Sequence, residues 1–246
     1  MEQVKQDLRL VGTQIYLRPI TVEDTDMVLK WRNDPQVVKN FIYRKPISRE
    51  EHLNWIHEKV EKGLVIQFIV CDKENDKPLG CVYLQNFDTV CNKAEWGIFY
   101  GNEGAKGKGI GTESGKLLMH YAFHELKLHK VMGRVLAYNK ASIRVHEKMG
   151  GVHEAYLKDE LYLDGEYVDE IFFGFTKEST DAVYQELLHL KAFLQDKKDM
   201  TALDEFTDMK KKSLAVRLEA ELLTADQQTT EELVIRTLEE FSLTIR

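Results

Sequence analysis

Apolar and polar positions recur along residues 1–177 with two periods, one typical of strands and one typical of helices. Runs rich in β-branched and aromatic residues predict strands at residues 15–20, 64–71, 79–84, 94–100, 130–137, 157–163 and 167–175. Apolar positions three or four apart predict helices that begin at Thr21 and Ser48, and further helices over 112–126 and 141–149. The predicted order is β-α-α-β-β-β-α-β-α-β-β, which is a mixed α/β domain.

Short sequence signals indicate where several of these elements begin and end. Ser48 and Glu51 have the spacing of a capping box at a helix N-terminus. Pro35 follows the first helix and cannot continue it. The pair Asp164-Gly165 lies between the last two strands and predicts a tight hairpin turn.

The end of the chain has a different pattern. No glycine follows Gly174 and no proline follows Pro78. Three stripes of apolar residues at helical spacing follow. They comprise Val183, Leu187, Leu188, Leu190 and Leu194, then Phe206, Met209, Leu214, Leu218 and Leu222, and last Leu233, Ile235, Leu238 and Phe241. We therefore expect two domains, an α/β domain over 1–177 and an all-α extension over 178–246.

Composition and charge exclude several classes of function. The 246 residues carry a net charge of −7, which is no footprint for nucleic acid. The longest apolar run, residues 64–71, is interrupted by Gln67 and is too short to cross a bilayer. The chain shows no signal peptide, and its three cysteines lack a C-x-x-C pair, so we expect a cytoplasmic protein with reduced thiols and no metal.

A glycine-rich segment, residues 106–112, lies between a predicted strand and a predicted helix. Glycines permit a close approach of backbone to ligand, and the first N–H groups of a helix attract anions, so this segment suits a phosphate. It lacks the Gly-Lys-Ser/Thr of a P-loop, and its glycine spacing and position differ from a dinucleotide fingerprint. A glycine turn without a ligand is the remaining alternative.

The sequence resembles the GNAT superfamily of acetyl-CoA-dependent N-acetyltransferases. Residues 106–111 match the pattern [Q/R]-x-x-G-x-[G/A], with Lys106 in the first position. Residues 139–151 are similar to N-x-x-[AS]-x-x-x-Y-x-K-x-G-F, with His146 in place of the tyrosine and Gly151 in place of the phenylalanine. The resemblance covers residues 8–177. It implies a mostly antiparallel sheet that splays between the fourth and fifth predicted strands, with acetyl-CoA as co-substrate.

The resemblance also implies roles for particular residues. Those expected to bind the cofactor are Ile98, Phe99, Tyr100, Lys106, Gly107, Lys108, Gly109, Ile110, Gly111, Thr112, Asn139 and Ser142. Direct attack by an amine requires a group that removes a proton from the amine and a group that protonates the departing thiolate. Glu95 is the candidate base. His146 is the candidate acid, with Tyr138 as its substitute.

The first half of the domain is expected to shape the acceptor site. Its motifs resemble the branch that acetylates nucleotide-linked amino sugars in the pseudaminic-acid pathway, and we therefore predict the 4-amino group of a nucleotide-linked deoxysugar as acceptor. The residues expected to bind it are Trp31, Arg32, Asn33, Tyr43, His52 and Trp55. The two tryptophans can equally be core residues. A ribosomal-protein N-terminus, a polyamine, an antibiotic amine and a non-catalytic acyl-CoA-binding regulator remain alternatives.

The extension weakly resembles an acyl-carrier-protein bundle, with residues 203–206 near that family's D-S-L motif. Glu205 stands where the carrier's serine would be, and a carboxylate cannot accept phosphopantetheine. The alternative is a helical extension that docks on the catalytic domain, forms a homodimer or binds a pathway partner.

Overall fold

One eight-stranded sheet forms the centre of the described structure, a computed structural model that describes residues 4–101 and 108–181. The strands are β1 (Leu10–Val11), β2 (Ile15–Pro19), β3 (Ile66–Asp72), β4 (Pro78–Asp88), β5 (Lys93–Tyr100), β6 (Lys130–Leu136), β7 (Val152–Leu163) and β8 (Glu166–Phe175). Their spatial order is β1-β2-β3-β4-β5-β6-β8-β7. Neighbours are antiparallel except β5 and β6, which are parallel, so the predicted mixed α/β architecture is confirmed.

Helices cover both faces of the sheet. They are α1 (Thr25–Arg32), α2 (Pro35–Val38), α3 (Arg49–Trp55), α4 (Ile110–His120) and α5 (Lys140–Lys148). Val28 and Trp31 of α1 pack against Phe99 on one face, which we call the α1 face. Leu117 of α4 and Ile143 of α5 pack in the larger core on the opposite face, which we call the α4 face.

Several predicted ends are confirmed. Ser48 and Glu51 form a capping box at the start of α3. Asp164 and Gly165 both have positive φ, 53° and 93°, as a two-residue hairpin turn requires.

Some elements differ from the sequence prediction. β4 extends to Asp88 because a register shift after Gln85, with Asn86 at φ 52°, interrupts the alternation that marks a strand. β7 begins at Val152, before the predicted start at residue 157, and a register shift between His153 and Ala155 interrupts the alternation in the part that was missed. The short helix α2 was not predicted.

The sheet opens between β5 and β6. Their pairing ends at Trp96 and Gly133. Beyond that point β5 continues along β4 as far as Tyr100, and β6 continues along β8 as far as Leu136. This divergence confirms the predicted splay and creates a V-shaped opening in the middle of the sheet.

The predicted extension over 178–246, with its three apolar stripes and Glu205, lies outside the described residues from residue 182 onward. Residues up to Lys177 form one unit. No helix of residues 4–101 or 108–181 is long and apolar enough to cross a membrane. The same described residues contain no group of three or more His, Cys, Asp or Glu side chains that could hold a metal.

Candidate active site

The N-terminus of α4 lies beside the opening in the sheet. A chain of hydrogen bonds connects Tyr100, at the end of β5, to the first turn of α4. The Oη atom of Tyr100 donates to Ser114 Oγ at 2.9 Å, and Ser114 Oγ in turn donates to the Ile110 carbonyl at 2.7 Å. Burial raises the pKa of Tyr100, so its phenol stays a neutral donor. Main-chain groups of Ile98, Phe99 and Tyr100 pair with β4, while the other edge of β5 faces the opening.

Gly109 is the N-cap of α4 and has a φ of 77°, a left-handed conformation that favours glycine. A Cβ built there would meet nothing within 4 Å, so the space over the first turn is open. Ile110 is buried and anchors the turn, Thr112 is half-buried and Lys108 is exposed. The first N–H groups of this helix therefore border open space, as a phosphate site requires. Lys106 and Gly107 lie outside the described residues.

Glu113, in the first turn of α4, was not singled out from the sequence. Its Oε1 atom accepts hydrogen bonds from the backbone N–H groups of Thr13 and Gln14, the latter at 2.9 Å. An acid in the first turn would otherwise compete with a bound anion for the positive end of the helix. Here its carboxylate is engaged by the β1–β2 turn, which holds α4 against the edge of the sheet.

Glu95 lies on the α1 face of β5, one residue before the last pair that β5 makes with β6. Its carboxylate accepts hydrogen bonds at 3.2 Å from Gln85 Nε2 and from Asn86 Nδ2. These two amides hold the half-buried carboxylate at the base of the opening. The carboxylate is thus fixed in position, and its role as a base stays a prediction.

His146 lies on the α4 face and is 3% exposed. Its ring is 4.7 Å from that of Trp96 and 4.8 Å from that of Phe173, and Nδ1 donates to the Ser142 carbonyl at 2.8 Å. Nε2 is buried and has no hydrogen-bond partner among the described residues. Burial lowers the pKa of His146 to about 4. Near neutral pH this ring is uncharged and holds its one proton in a hydrogen bond, which makes it a poor acid.

Tyr138 follows β6 on the other side of the opening and is 48% exposed. Its hydroxyl donates to the Lys39 carbonyl and accepts a hydrogen bond from Arg44 Nη2 at 2.7 Å. Arg44 also pairs with Asp164 at the hairpin turn. Three separate segments therefore meet at Tyr138.

Asn139 is the N-cap of α5, where its Oδ1 atom accepts a hydrogen bond from the backbone N–H of Ser142 at 3.1 Å. The two residues predicted to line the cofactor arm are thus adjacent and fix the start of α5. They lie directly after Tyr138 in the chain.

Trp31 and Arg32 end α1 at the far end of β5. Trp31 is 8% exposed and its ring covers Gly101, where a Cβ would lie 1.7 Å from Cδ1 of the indole. Only glycine can therefore occupy position 101 without displacing the ring. The Arg32 guanidinium carbon lies 3.6 Å from the ring centroid of Phe41 and 5.8 Å from that of Phe99. Trp31 and Arg32 thus lie beside the end of β5, and their role in acceptor binding stays a prediction.

The other predicted acceptor residues are dispersed. Asn33 joins α1 to the segment before α3, since its amide both donates to and accepts from the backbone of Ile47 at 2.9 Å. His52 is buried, stacks on Trp55 and lies 3.3 Å from the Thr25 hydroxyl. Thr25 begins α1 and Arg32 ends it, about 10 Å apart along the axis, so His52 and Trp55 are removed from Arg32. Tyr43 is 51% exposed.

A sheet that opens beside a helix N-terminus, with a carboxylate at the base of the opening, is the arrangement that the resemblance to acetyl-CoA-dependent transferases implies. Comparison with known families agrees. The acetyltransferase (GNAT) domain family matches residues 14–152, and the chain belongs to this family.

Individual relatives support the same class. The chain is 30% identical over 169 residues to the SPbeta prophage-derived uncharacterized N-acetyltransferase YokL of Bacillus subtilis, covering 68% of this chain and 92% of that protein. It is 30% identical to the spermidine N(1)-acetyltransferase of Escherichia coli K12, covering 64% of this chain and 83% of that protein. A crystal structure of spermidine N-acetyltransferase from Vibrio cholerae in complex with CoA and spermine shares the fold, with a TM-score of 0.63, 22% identity, and coverage of 68% of this chain and 98% of that one.

The chain is therefore an N-acetyltransferase of the GNAT family, whose members use acetyl-CoA as acetyl donor.

Proposed function

We propose that this enzyme transfers the acetyl group of acetyl-CoA to a primary amine that enters on the α1 face, by direct attack in a ternary complex. The observation that carries the proposal is the position of Glu95, a carboxylate held by two amides at the base of the opening between β5 and β6. An ammonium has no lone pair, so an acceptor amine needs a base at this place.

Bound acetyl-CoA would supply the activated thioester carbonyl. Backbone N–H groups from Lys108 to Thr112 would hold its pyrophosphate, as the open space over Gly109 and the engaged carboxylate of Glu113 favour. The free edge of β5 beyond Trp96 would align the acyl arm. Asn139 and Ser142 would border that arm from the start of α5.

Two protein groups would move protons. Glu95 takes a proton from the acceptor ammonium, directly or through water. Tyr138 is the group we assign to protonate the departing thiolate, since its side chain is half exposed beside the opening while the His146 ring is buried and neutral. Its hydroxyl proton would have to leave the Lys39 carbonyl in this step. No buried metal or covalent nucleophile is needed for this route.

For the acceptor we propose a nucleotide-linked amino sugar, with its phosphates toward Arg32 and the amine toward Glu95. The cation at Arg32 and the aromatic rings around it support this assignment. A polyamine is the second candidate, because the Escherichia coli and Vibrio cholerae relatives are spermidine acetyltransferases. Peptide N-termini and antibiotic amines would use the same chemistry.

A thiol-release assay with acetyl-CoA and a panel of amines tests this function, with the acetylated product identified by mass spectrometry. Glu95→Gln should lower kcat by about 100-fold or more while the affinity for CoA stays unchanged. Glu74→Gln, which removes an exposed acid in the β3–β4 turn, is the matched control. Release of thiol by neither wild-type protein nor control with any amine would argue for the non-catalytic acyl-CoA-binding regulator.

A further inference from the structure

Arg32 differs from the other part-buried arginines of the described chain in what surrounds its charge. Arg18 pairs with Asp24 at 2.6 Å, Arg134 pairs with Glu170 at 2.8 Å, and Arg44 pairs with Asp164. Arg32 makes no hydrogen bond or ion pair with any residue in 4–101 or 108–181. Its guanidinium lies instead over the ring of Phe41 and near that of Phe99.

Within the described part of the chain, this arrangement leaves a cation without a compensating anion. Burial lowers the pKa of Arg32, which reflects the loss of solvation around the charged group. Aromatic faces stabilise a guanidinium from above and leave its N–H edge free, because the cation–π contact uses the plane of the group. A planar fork of donors held in this way fits the two oxygens of a phosphate or a carboxylate.

Arg32 lies on the same face of the sheet as Glu95, the proposed base. The Tyr83 ring of β4 covers Gly97, which lies between Glu95 and Phe99 along β5, since a Cβ built there would lie 2.3 Å from Tyr83 Oη. Glu95 and Phe99 lie on one face of β5, four residues apart, about 13 Å along the strand. An acceptor amine at Glu95 would therefore present its distant end toward Arg32.

We infer that Arg32 is the specificity-determining residue of the acceptor site, and that the preferred acceptor carries a phosphate or carboxylate several bonds away from its amine. This inference rests on the proposed acetyltransferase function and widens the proposed acceptor from a nucleotide sugar to any amine with a distant anionic group that Arg32 selects. A polyamine, which has cations at both ends, would place a positive charge against the Arg32 guanidinium and be disfavoured.

The experiment compares matched amines that differ by one anionic group, at saturating acetyl-CoA. Comparing glucosamine 6-phosphate with glucosamine tests the effect of a phosphate on kcat/KM. Comparing 6-aminohexanoate with hexylamine tests the effect of a carboxylate, and spermidine is the reference amine. We expect kcat/KM to be at least tenfold higher for the anionic member of one pair. Arg32→Gln should remove that preference by raising KM for the anionic member of the pair more than for the neutral one.

Two further variants separate recognition from packing. Arg49→Gln removes an exposed arginine that pairs with Asp26 and should keep the preference. Arg32→Lys keeps the charge but not the fork, and should retain an intermediate preference. An unchanged affinity for CoA shows that each variant is folded.

A direct binding measurement makes the inference independent of turnover. With the protein saturated with CoA, pyrophosphate or hexanoate should bind in competition with the amine, and at least tenfold more weakly to Arg32→Gln. Equal kcat/KM for both members of each pair, an equal loss for both in Arg32→Gln, or a preference for spermidine would overturn the inference. Failure of the proposed function is a separate outcome, in which no amine of either kind releases thiol.

Discussion

The two faces of β5 differ in the side chains they carry, which are packed against the core on the α4 face and include charged groups on the α1 face. On the α4 face, the Trp96 ring packs against the His146 ring, and the Tyr100 hydroxyl is hydrogen-bonded to the Ser114 hydroxyl. On the α1 face the strand carries Glu95, with Arg32 near its far end and the ion pair of Arg134 with Glu170 on neighbouring strands.

This difference indicates which face of the sheet can carry the proposed acetyl transfer. Ionised groups are costly to bury unless something compensates them, so a site that handles an ammonium and an anion concentrates such groups on one side. The opposite side is closed and apolar, and it fixes the helix whose N-terminus borders the opening. A histidine placed there is neutral and structural, even though its position in the sequence motif suggests catalysis.

The largest expected effect concerns the ion pair on the α1 face. Glu170 is 1% exposed and pairs with Arg134 at 2.8 Å. Arg134→Met would leave a buried carboxylate without its partner, so we expect the free energy of unfolding to fall by about 3–5 kcal/mol. Urea unfolding measures this change in the free energy of unfolding. Arg49→Met, which breaks the exposed pair with Asp26, should cost no more than about 1 kcal/mol. Equal losses in the two variants would mean that burial does not make the Arg134–Glu170 pair more important for stability than an exposed pair.

The second effect concerns the anion site at the start of α4. Gly109→Trp should weaken CoA binding at least 100-fold, about 2.7 kcal/mol, because the indole would fill the open space over the first turn. Gly165→Trp is the matched control, since Gly165 also has positive φ and open surroundings but lies in the β7–β8 turn. Calorimetric titration with CoA distinguishes them. Retained affinity in Gly109→Trp would refute the assigned cofactor position.

The third effect is the pH dependence of stability that the burial of His146 on the α4 face produces. The unfolded chain protonates His146 near its ordinary pKa of 6.5, whereas the folded chain resists protonation down to about 4. Stability is therefore unaffected by this group above pH 6.5 and is lost as pH falls from 6.5 toward 4. Between pH 7 and pH 5 the loss is about 2 kcal/mol. His146→Leu should show a correspondingly flatter dependence in urea unfolding, whereas His57→Leu, which removes an exposed histidine, should not.

Sequence patterns predicted most of the fold and the framework of the site. Alternation, the capping box at Ser48 and the Asp164-Gly165 pair are local signals, and the structure confirms the elements they indicated. The glycine-rich segment predicts an anion site for the same reason, because the strand and the helix that flank it are close in sequence.

What the sequence did not predict depends on residues far apart in the chain. Glu113 binds the backbone of Gln14, 99 residues away, which no periodicity reveals. The surroundings of Arg32 depend on the path of the segment that brings Phe41 over its guanidinium. The motif places His146 on the correct helix, but only the packing of Trp96 and Phe173 around it determines its burial.

The smallest effect concerns the proton donor at the edge of the opening. A thiolate with a pKa near 8.5 is already a good leaving group, so protonation contributes less here than in most acid catalysis. We expect Tyr138→Phe to lower kcat about tenfold and to change the pH profile of kcat. The hydroxyl also binds Lys39 and Arg44, so a purely structural role must be distinguished. Arg44→Gln breaks the same bridge and keeps the phenol. If both variants lower kcat alike with unchanged pH profiles, Tyr138 holds the segment in place, whereas a change in the pH profile of Tyr138→Phe alone identifies the acid.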